Sequence, residues 1–308
     1  MNVPRLTVSM PDYRLREALG PAPEGVSFVE WDMTHPAPLD AISIVVPPYM
    51  GTTKLLPRLA GVRTRLVQSQ SVGYDGVETV LPPGIVFANA ASVHETSTAE
   101  LALALILASQ RGIPAFVRAA ELGRWAPEWH ESLADRTVLL VGYGGVGRAI
   151  ESRLLAFETT VIRVARTERF DERGVVYSTT FLPDLLAQAD IVVVSVPLTE
   201  TTTHFVDDAF LSHMRDGTLF VNVSRGPVAD TAALLAQASS GRLRLALDVT
   251  DPEPLPDGHP LFALANVIIS PHVGGATSAM LPRMARLLNE QISRMLRGEE
   301  PLNVVLRT

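Results

Sequence analysis

Three ionisable residues in the second half of the sequence have types that suit carbonyl chemistry. Arg225, Glu253 and His272 each come shortly after an apolar run that predicts a buried β-strand. In an open parallel sheet, ligands bind beyond the carboxyl ends of the strands, so we expect these side chains to share one edge. A guanidinium, a carboxylate and an imidazole at one edge predict reduction of a 2-oxo acid.

Each of the three has a distinct expected task. Arg225 can hold the substrate carboxylate through its donor fork and polarise the adjacent carbonyl. His272 can donate a proton to the carbonyl oxygen as hydride arrives, because histidine exchanges protons near neutral pH. Glu253, if paired with His272, would favour the imidazolium and fix its orientation. Asp251 is a competitor for that task, and His259 is expected to be structural.

A glycine-rich motif between a predicted strand and a predicted helix indicates where the hydride comes from. The motif consists of Gly142, Tyr143, Gly144, Gly145, Val146 and Gly147. The first glycine permits a tight turn, the second lets the backbone approach a pyrophosphate, and the third lets helix and strand pack closely. Because free N–H groups at a helix start attract phosphate charge, the motif predicts a bound dinucleotide.

The residues after the next predicted strand bear on which dinucleotide binds. An NAD site places an acidic residue about 20 residues beyond the glycines, but this chain has Arg166 there. A guanidinium suits a 2′-phosphate, Thr167 adds a hydroxyl donor, and Arg169 can assist. We therefore expect NADP(H) to be preferred and NAD(H) to be possible. The alternative is that Arg166 is a solvated surface residue and that NAD binds through other contacts.

Composition excludes several classes of protein. Hydrophobic residues make up 47% and charged residues 19% of the 308 residues, which fits a globular protein with two full cores. A net charge of −7 argues against a nucleic-acid-binding surface. The chain has no cysteine, so it lacks disulfides and thiolate chemistry, and we predict no metal site. No signal peptide or membrane span is predicted, and we expect a cytoplasmic protein.

Short apolar strands alternate with helical segments along the whole chain, which predicts an α/β fold. We expect two Rossmann-like or flavodoxin-like domains with parallel sheets and a cleft between them. Predicted strands in the first part span 6–10, 26–29, 42–46, 66–68 and 85–87. In the second part they span 138–141, 161–164, 191–196, 219–223, 243–247 and 267–270. One long helix is predicted over 97–122, and a last one over 277–297.

The chain resembles the D-isomer-specific 2-hydroxyacid dehydrogenase family over nearly its whole length. The resemblance rests on VGYGGVG, NVSRGPVAD, DVTDPEP and NVIISPHVGG, which agree in content, order and spacing. It implies that Arg225, Glu253 and His272 are catalytic. It also implies a discontinuous substrate-binding domain, 1–97 plus 280–308, around a dinucleotide-binding domain, 98–279. Further cofactor contacts implied are Pro197, Thr202, Val223 and Asp248.

The first part of the chain shares the resemblance. Residues 70–75, Gln-Ser-Val-Gly-Tyr-Asp, resemble the loop whose amides, here at Val72 and Gly73, receive the substrate carboxylate. Tyr49 and Met50 fall where the family lines the pocket for the substrate side chain. They would favour a bulky or apolar substituent, or they are packing residues. Arg225 and His272 would complete the substrate contacts.

The resemblance implies NAD(P)-dependent reduction of a small 2-oxo acid to the D-2-hydroxy acid, of the glyoxylate or hydroxypyruvate reductase kind. The alternative is a non-catalytic, dinucleotide-sensing protein like the corepressors related to this family. A third possibility is an enzyme whose substrate lies outside the 2-oxo acids. The segment from Trp125 to Trp129 loosely resembles the family's dimer-forming region, so a homodimer is expected.

Overall fold

The computed structural model describes residues 6–308, and contacts between Cα atoms divide it into two units. Unit 1 ends at His94 and resumes over Ala276–Thr308, while unit 2 is Glu95–Gly275. The boundaries predicted after residues 97 and 279 lie a few residues further along the chain. Each unit is built on its own β-sheet.

Helices and strands alternate through both units. Within residues 6–308 the strands are β1 (Leu6–Met10), β2 (Val26–Glu30), β3 (Ile44–Val45), β4 (Leu66–Gln68), β5 (Val86–Ala88), β6 (Thr137–Val141), β7 (Thr160–Ala165), β8 (Arg169–Asp171), β9 (Gly174–Ser178), β10 (Ile191–Val194), β11 (Leu219–Asn222), β12 (Arg244–Leu247), β13 (Val267–Ile269) and β14 (Val304–Arg307). The α-helices in the same range are α1 (Tyr13–Leu19), α2 (Thr52–Leu55), α3 (Glu95–Gln110), α4 (Ile113–Glu121), α5 (Gly145–Leu154), α6 (Leu182–Leu186), α7 (Asp208–Ser212), α8 (Thr231–Ser239) and α9 (Met280–Arg297).

Unit 1 contains a sheet in the order β14-β5-β4-β3-β1-β2. Its strands pair in parallel except β14, which runs antiparallel to β5. The short strands β3 and β4 are buried over their whole length, as parallel strands covered on both faces are. Helices α1 and α9 supply buried leucine and methionine side chains to one core cluster of this unit.

Unit 2 contains a larger doubly wound sheet in the order β13-β12-β11-β10-β6-β7-β9-β8. All neighbours pair in parallel except β8, which is antiparallel to β9. Strand order reverses at β6, and the loop between β6 and α5 carries the glycine motif. The predicted α/β class with two largely parallel, Rossmann-like sheets is confirmed. At the reversal point of such a sheet a nucleotide is expected to bind.

The single helix predicted over 97–122 is wrong in one respect. Two helices, α3 and α4, occupy this stretch and meet at an angle of 67°. Gly112 adopts a left-handed conformation with φ of 64°, and Pro114 begins the next helix. A left-handed residue ends the hydrogen-bond ladder of an α-helix, and proline is favoured in the first turn of the one that follows.

Three strands were not predicted. The hairpin of β8 and β9 extends the sheet of unit 2 beyond β7, and β14 closes one edge of the sheet of unit 1. The last helix begins at Met280 rather than at residue 277. Within residues 6–308, no single helix is long and apolar enough to cross a membrane, although the bent pair of α3 and α4 has the combined length and composition of a span.

Candidate active site

The carboxyl ends of three neighbouring strands in unit 2 lie at one level. The sheet register pairs Asn222 with Leu247, and Leu247 with Ile269, so β11, β12 and β13 end together. Arg225, Glu253 and His272 lie in the loops that follow these strand ends. The structure therefore places the three predicted catalytic residues at the edge where an α/β sheet binds its ligands.

Glu253 and His272 form a direct pair. Nδ1 of His272 lies 2.5 Å from Oε1 of Glu253, and both side chains are partly exposed. Because a carboxylate accepts, this contact assigns a proton to Nδ1. Nε2 has no hydrogen-bond partner among residues 6–308. The competing carboxylate, Asp251, lies instead 4.0 Å from Nε2 of His204. An imidazole oriented by a carboxylate in this way can exchange a proton through Nε2.

The loop that carries His272 is fixed by Asp248, the buried residue directly after β12. One oxygen of its carboxylate accepts from the Ser270 hydroxyl at 2.7 Å and from Val273 N–H at 2.9 Å, and the other accepts from Gly274 N–H at 2.9 Å. The backbone N–H of His272 also donates to the Asp248 carbonyl, at 2.7 Å. Asp248 therefore holds the histidine loop, a task that the sequence did not indicate.

Arg225 lies half-buried in the turn after β11. Its Nη1 donates to the Ser224 carbonyl at 2.8 Å, and its own carbonyl accepts from the Asn222 side chain at 3.2 Å. A Cβ atom on the next residue, Gly226, would lie 1.8 Å from the Thr250 carbonyl oxygen. Only glycine lets this turn pack against the loop after β12, so the arginine and glutamate loops touch.

The glycine motif has the local geometry of a phosphate-binding turn. Gly142 has φ of 105°, and a Cβ on Gly147 would lie 2.3 Å from the Gly142 carbonyl oxygen. At Gly144, no described residue comes within 4 Å of where a Cβ would be. The first helical bond of α5 runs from Arg148 N–H to Gly144, so the amides of residues 145–147 lack helical acceptors. An open backbone with free donors fits a pyrophosphate.

The side chain of Tyr143, a predicted cofactor contact, points into the interior of unit 2. Its hydroxyl donates to the buried carboxylate of Glu151, which also accepts from Arg173 at 2.6 Å and lies 3.6 Å from Arg163. Burial raises the pKa of the Tyr143 phenol, and the hydrogen bond to Glu151 raises it further. The phenol therefore stays protonated as the donor in this buried network. Any cofactor contact of Tyr143 must use its backbone.

The residues predicted to select the dinucleotide lie at the end of β7. Arg166 and Thr167 are exposed in the bend that follows this strand. The Arg166 guanidinium has no hydrogen-bond or ion-pair partner within the described chain. Arg169 differs, because its Nη2 donates to the carbonyl of Tyr143 at 2.9 Å, which fixes a second guanidinium beside the glycine turn. These groups are chemically suited to hold a phosphate monoester.

The other predicted cofactor contacts lie beyond β10 and β11. The hydroxyl of Thr202 donates to the Pro197 carbonyl at 2.7 Å and closes the loop between them. Val223 is buried, and its N–H donates to the Val194 carbonyl at 3.1 Å. The structure thus joins Pro197 and Thr202 in one loop and sets Val223 at the neighbouring strand end.

In unit 1, the predicted substrate residues lie in two loops after strands. Val72 and Gly73 follow β4, and their backbone N–H groups have no acceptor within residues 6–308. Tyr49 and Met50 follow β3; the tyrosine is half-buried and the methionine is 46% exposed. Thr53 joins these loops, since its hydroxyl donates to the Asp75 carbonyl at 3.2 Å. Two free successive amides are the donors that a carboxylate requires.

The sequence does not indicate which buried polar residues hold functional residues in place through hydrogen bonds. Asp248 was assigned only to the cofactor, and Glu151, Asn89 and His94 were not assigned at all. Each is a buried polar side chain whose partners lie far along the chain. No motif or periodicity indicates such contacts, although the position of His94 directly before the first turn of α3 could have marked it as a candidate.

A doubly wound sheet with a phosphate-binding turn at its reversal point, and an imidazole–carboxylate pair at the same edge, defines an oxidoreductase of the 2-hydroxyacid dehydrogenase type. The family described as "D-isomer specific 2-hydroxyacid dehydrogenase, NAD binding domain" matches residues 103–274. The chain belongs to the D-isomer-specific 2-hydroxyacid dehydrogenase family.

Relatives of known activity cover most of the chain. Human glyoxylate reductase/hydroxypyruvate reductase is 32% identical over 288 residues, which are 88% of this chain and 88% of that protein. The glyoxylate reductase of Thermofilum pendens is 33% identical over 253 residues, 79% of this chain and 75% of the relative.

Solved structures agree over nearly the full length. A D-isomer specific 2-hydroxyacid dehydrogenase from Xanthobacter autotrophicus, in complex with NADPH and MES, is 28% identical with a TM-score of 0.80, covering 98% of each chain. An NADPH-dependent glyoxylate/hydroxypyruvate reductase from Sinorhizobium meliloti, in complex with NADP and malonate, is 28% identical with a TM-score of 0.79, covering 99% of this chain and 97% of that one.

Proposed function

We propose that this protein reduces a small 2-oxo acid to the D-2-hydroxy acid and prefers NADPH to NADH. The observation that carries the proposal is the 2.5 Å contact between His272 and Glu253 at the sheet edge that also holds Arg225. Relatives named as glyoxylate and hydroxypyruvate reductases support the substrate class. They lend no support to a non-catalytic, cofactor-sensing protein.

The proposed mechanism assigns one task to each residue. NADPH, when bound, would supply the hydride. His272, as an imidazolium, donates the Nε2 proton to the substrate carbonyl oxygen, while Glu253 accepts from Nδ1 and stabilises the positive charge. Arg225 binds the carboxylate and polarises the carbonyl. In unit 1, the free amides of Val72 and Gly73 are the donors that the family resemblance assigns to the substrate carboxylate.

The proposed cofactor contacts follow from the geometry of unit 2. The amides at the start of α5 would bind the pyrophosphate, and Pro197, Thr202 and Val223 would line the remainder of the site. Asp248 accepts three hydrogen bonds, and a carboxylate has room for about four, so it can still accept one from the nicotinamide end. Arg166, Thr167 and Arg169 would bind the 2′-phosphate.

The proposal is tested by NADPH and NADH oxidation in the presence of glyoxylate, hydroxypyruvate, pyruvate, phenylpyruvate and 2-oxoisocaproate. We expect turnover of at least one acid, with kcat/KM for NADPH about tenfold or more above that for NADH, because a 2′-phosphate adds charged hydrogen bonds. Chiral analysis of the product is expected to give the D isomer. Tight cofactor binding without turnover of any acid would contradict the proposed reaction.

We also propose that the chain forms a homodimer through residues 113–129, the segment that consists of α4 and the residues directly after it. Its exposed apolar side chains include Ile113 and Val117, which lie one turn apart on the helix, and Leu122. Trp125 is 96% exposed, and Trp129 is fully exposed. Two tryptophans beside an apolar helix face are typical of a covered protein surface.

Light scattering during gel filtration tests the homodimer. We expect a mass of twice the chain mass for the wild-type protein, and a shift toward monomer when Trp125 and Trp129 are both changed to serine. Phe170→Ser is the matched control, because Phe170 is also strongly exposed, at 79%, but lies outside this segment. A double variant that stays dimeric would contradict the assigned interface.

A further inference from the structure

His94 is a buried histidine in unit 1 that the proposed mechanism does not use. Its side chain is 5% exposed. Nε2 lies 2.6 Å from the carbonyl oxygen of Gln70, and the ring stacks on Tyr49 with centroids 5.5 Å apart and planes inclined by 21°. One imidazole thus contacts both of the loops to which the substrate was assigned.

The hydrogen bonding of His94 fixes its tautomer. Because the Gln70 carbonyl oxygen can only accept, Nε2 carries the proton. Nδ1 is buried and has no hydrogen-bond partner in the described part of the chain. His94 therefore donates from Nε2 to the loop after β4.

The loop after β4 is held along one side by the segment 89–94. Three successive carbonyl groups accept hydrogen bonds from this segment. They are Gln70 from His94 Nε2 at 2.6 Å, Ser71 from Ala90 N–H at 2.9 Å, and Val72 from Asn89 Nδ2 at 2.8 Å. Three successive peptide planes are therefore fixed from the same side.

Fixed carbonyl groups also fix the amides that follow them. In a trans peptide plane, the N–H of one residue points away from the carbonyl of the residue before it. With the carbonyls of Ser71 and Val72 held by the segment 89–94, the N–H groups of Val72 and Gly73 point away from that segment. Both amides lack acceptors within residues 6–308, so they form a preoriented pair of donors.

Further bonds connect this loop to the one that carries Tyr49. The Gln70 side chain donates to the Pro47 carbonyl at 2.9 Å. His94 completes the connection, because it binds the Gln70 backbone on one side and packs against the Tyr49 ring on the other. A shift of the imidazole would move the two loops together.

We propose that His94 is a positioning residue for substrate binding. Resting on the proposed function, the Nε2–H of His94 holds the Gln70 peptide plane at the start of the loop that carries the carboxylate-binding amides, while Ala90 and Asn89 hold the next two planes. The His94 ring holds Tyr49 as the wall against the substrate side chain. The two tasks belong to different parts of the imidazole, so they can be separated by substitution.

Two substitutions separate the tasks, and a third controls for stability. His94→Phe keeps a stacking ring and removes the donor, while His94→Gln keeps an N–H donor at similar reach and removes the ring. Val93→Ala changes the neighbouring buried residue and removes packing without touching Gln70. Steady-state kinetics with glyoxylate and phenylpyruvate, NADPH titration and thermal unfolding are measured for all three.

We expect His94→Phe to raise KM for both acids about tenfold with kcat within about twofold, as for a lost ground-state hydrogen bond. His94→Gln is expected to keep KM for glyoxylate near the wild-type value but to raise it for phenylpyruvate, whose ring would meet a displaced Tyr49. Val93→Ala should lower the unfolding temperature and leave both KM values unchanged. NADPH affinity should stay constant throughout.

The outcomes distinguish this inference from the proposed function. An unchanged KM in His94→Phe, or an equal rise of KM in Val93→Ala, would overturn the role of His94 while the wild-type enzyme still turns over. Calorimetric binding of oxamate to the NADPH complex tests the amide pair without turnover. Oxamate affinity is expected to fall about tenfold in His94→Phe and to stay at the wild-type value in Val93→Ala. Equal affinities in the wild-type protein, His94→Phe and Val93→Ala would overturn the inference.

Discussion

Replacing His272 with glutamine is expected to lower kcat for 2-oxo acid reduction by about 10³-fold, within the range of ~10²–10⁴ for general acid catalysis. A glutamine amide can occupy the site beside Glu253 but cannot release a proton to the carbonyl oxygen. Because the lost interaction belongs to the transition state, kcat and kcat/KM should fall together. Steady-state NADPH oxidation measures both, and fluorescence titration should show unchanged NADPH affinity.

The matched control is His259→Gln. His259 lies in the same unit, where its Nδ1 accepts from Leu261 N–H at 3.3 Å at the start of a short 3-10 helix. This histidine is outside the site, so its substitution should leave kcat within about twofold of the wild-type value. A near-wild-type rate in His272→Gln, with His259→Gln equally active, would remove His272 from the reaction.

The parts of this fold that depend on local sequence could be predicted. Apolar runs between turn residues gave the central strands of both sheets, because a strand buried on both faces must be apolar over its length. The glycine motif could also be predicted, because the local turn requires glycine at positions 142 and 147. The break between α3 and α4 is also local, at Gly112, but apolar residues are frequent on both sides of it, which favours one continuous helix in the sequence.

Features that depend on contacts between distant residues could not be predicted. Glu253 and Asp251 are two residues apart, and only the path of the loop decides that Glu253 meets His272 and Asp251 faces His204. Likewise, nothing in the glycine motif indicates that the Tyr143 side chain points inward and donates to Glu151. Such pairings depend on the three-dimensional path of several loops together.

The proposed preference for NADPH rests on the exposed guanidinium of Arg166, and substitution of this residue is expected to change cofactor specificity strongly. In Arg166→Asp, a carboxylate would repel the 2′-phosphate and could accept hydrogen bonds from the free ribose hydroxyls of NADH. Losing a charge-assisted hydrogen bond costs about 1.5–3 kcal/mol, and each 1.4 kcal/mol is tenfold in affinity. We expect kcat/KM with NADPH to fall ~10–100-fold, and kcat/KM with NADH to rise severalfold.

A control variant must separate the effect of the charge change from the effect of its position in the chain. Arg65→Asp makes the same change at an exposed arginine of unit 1, outside the residues assigned to either ligand, and should alter neither cofactor's kcat/KM. Arg166→Gln removes the positive charge without adding a negative one, so it should weaken NADPH while leaving NADH nearly unchanged. If Arg166→Asp kept the wild-type ratio of NADPH to NADH efficiency, the 2′-phosphate would have to bind elsewhere, and Arg169, already fixed beside the glycine turn by its bond to Tyr143, would be the residue to change next.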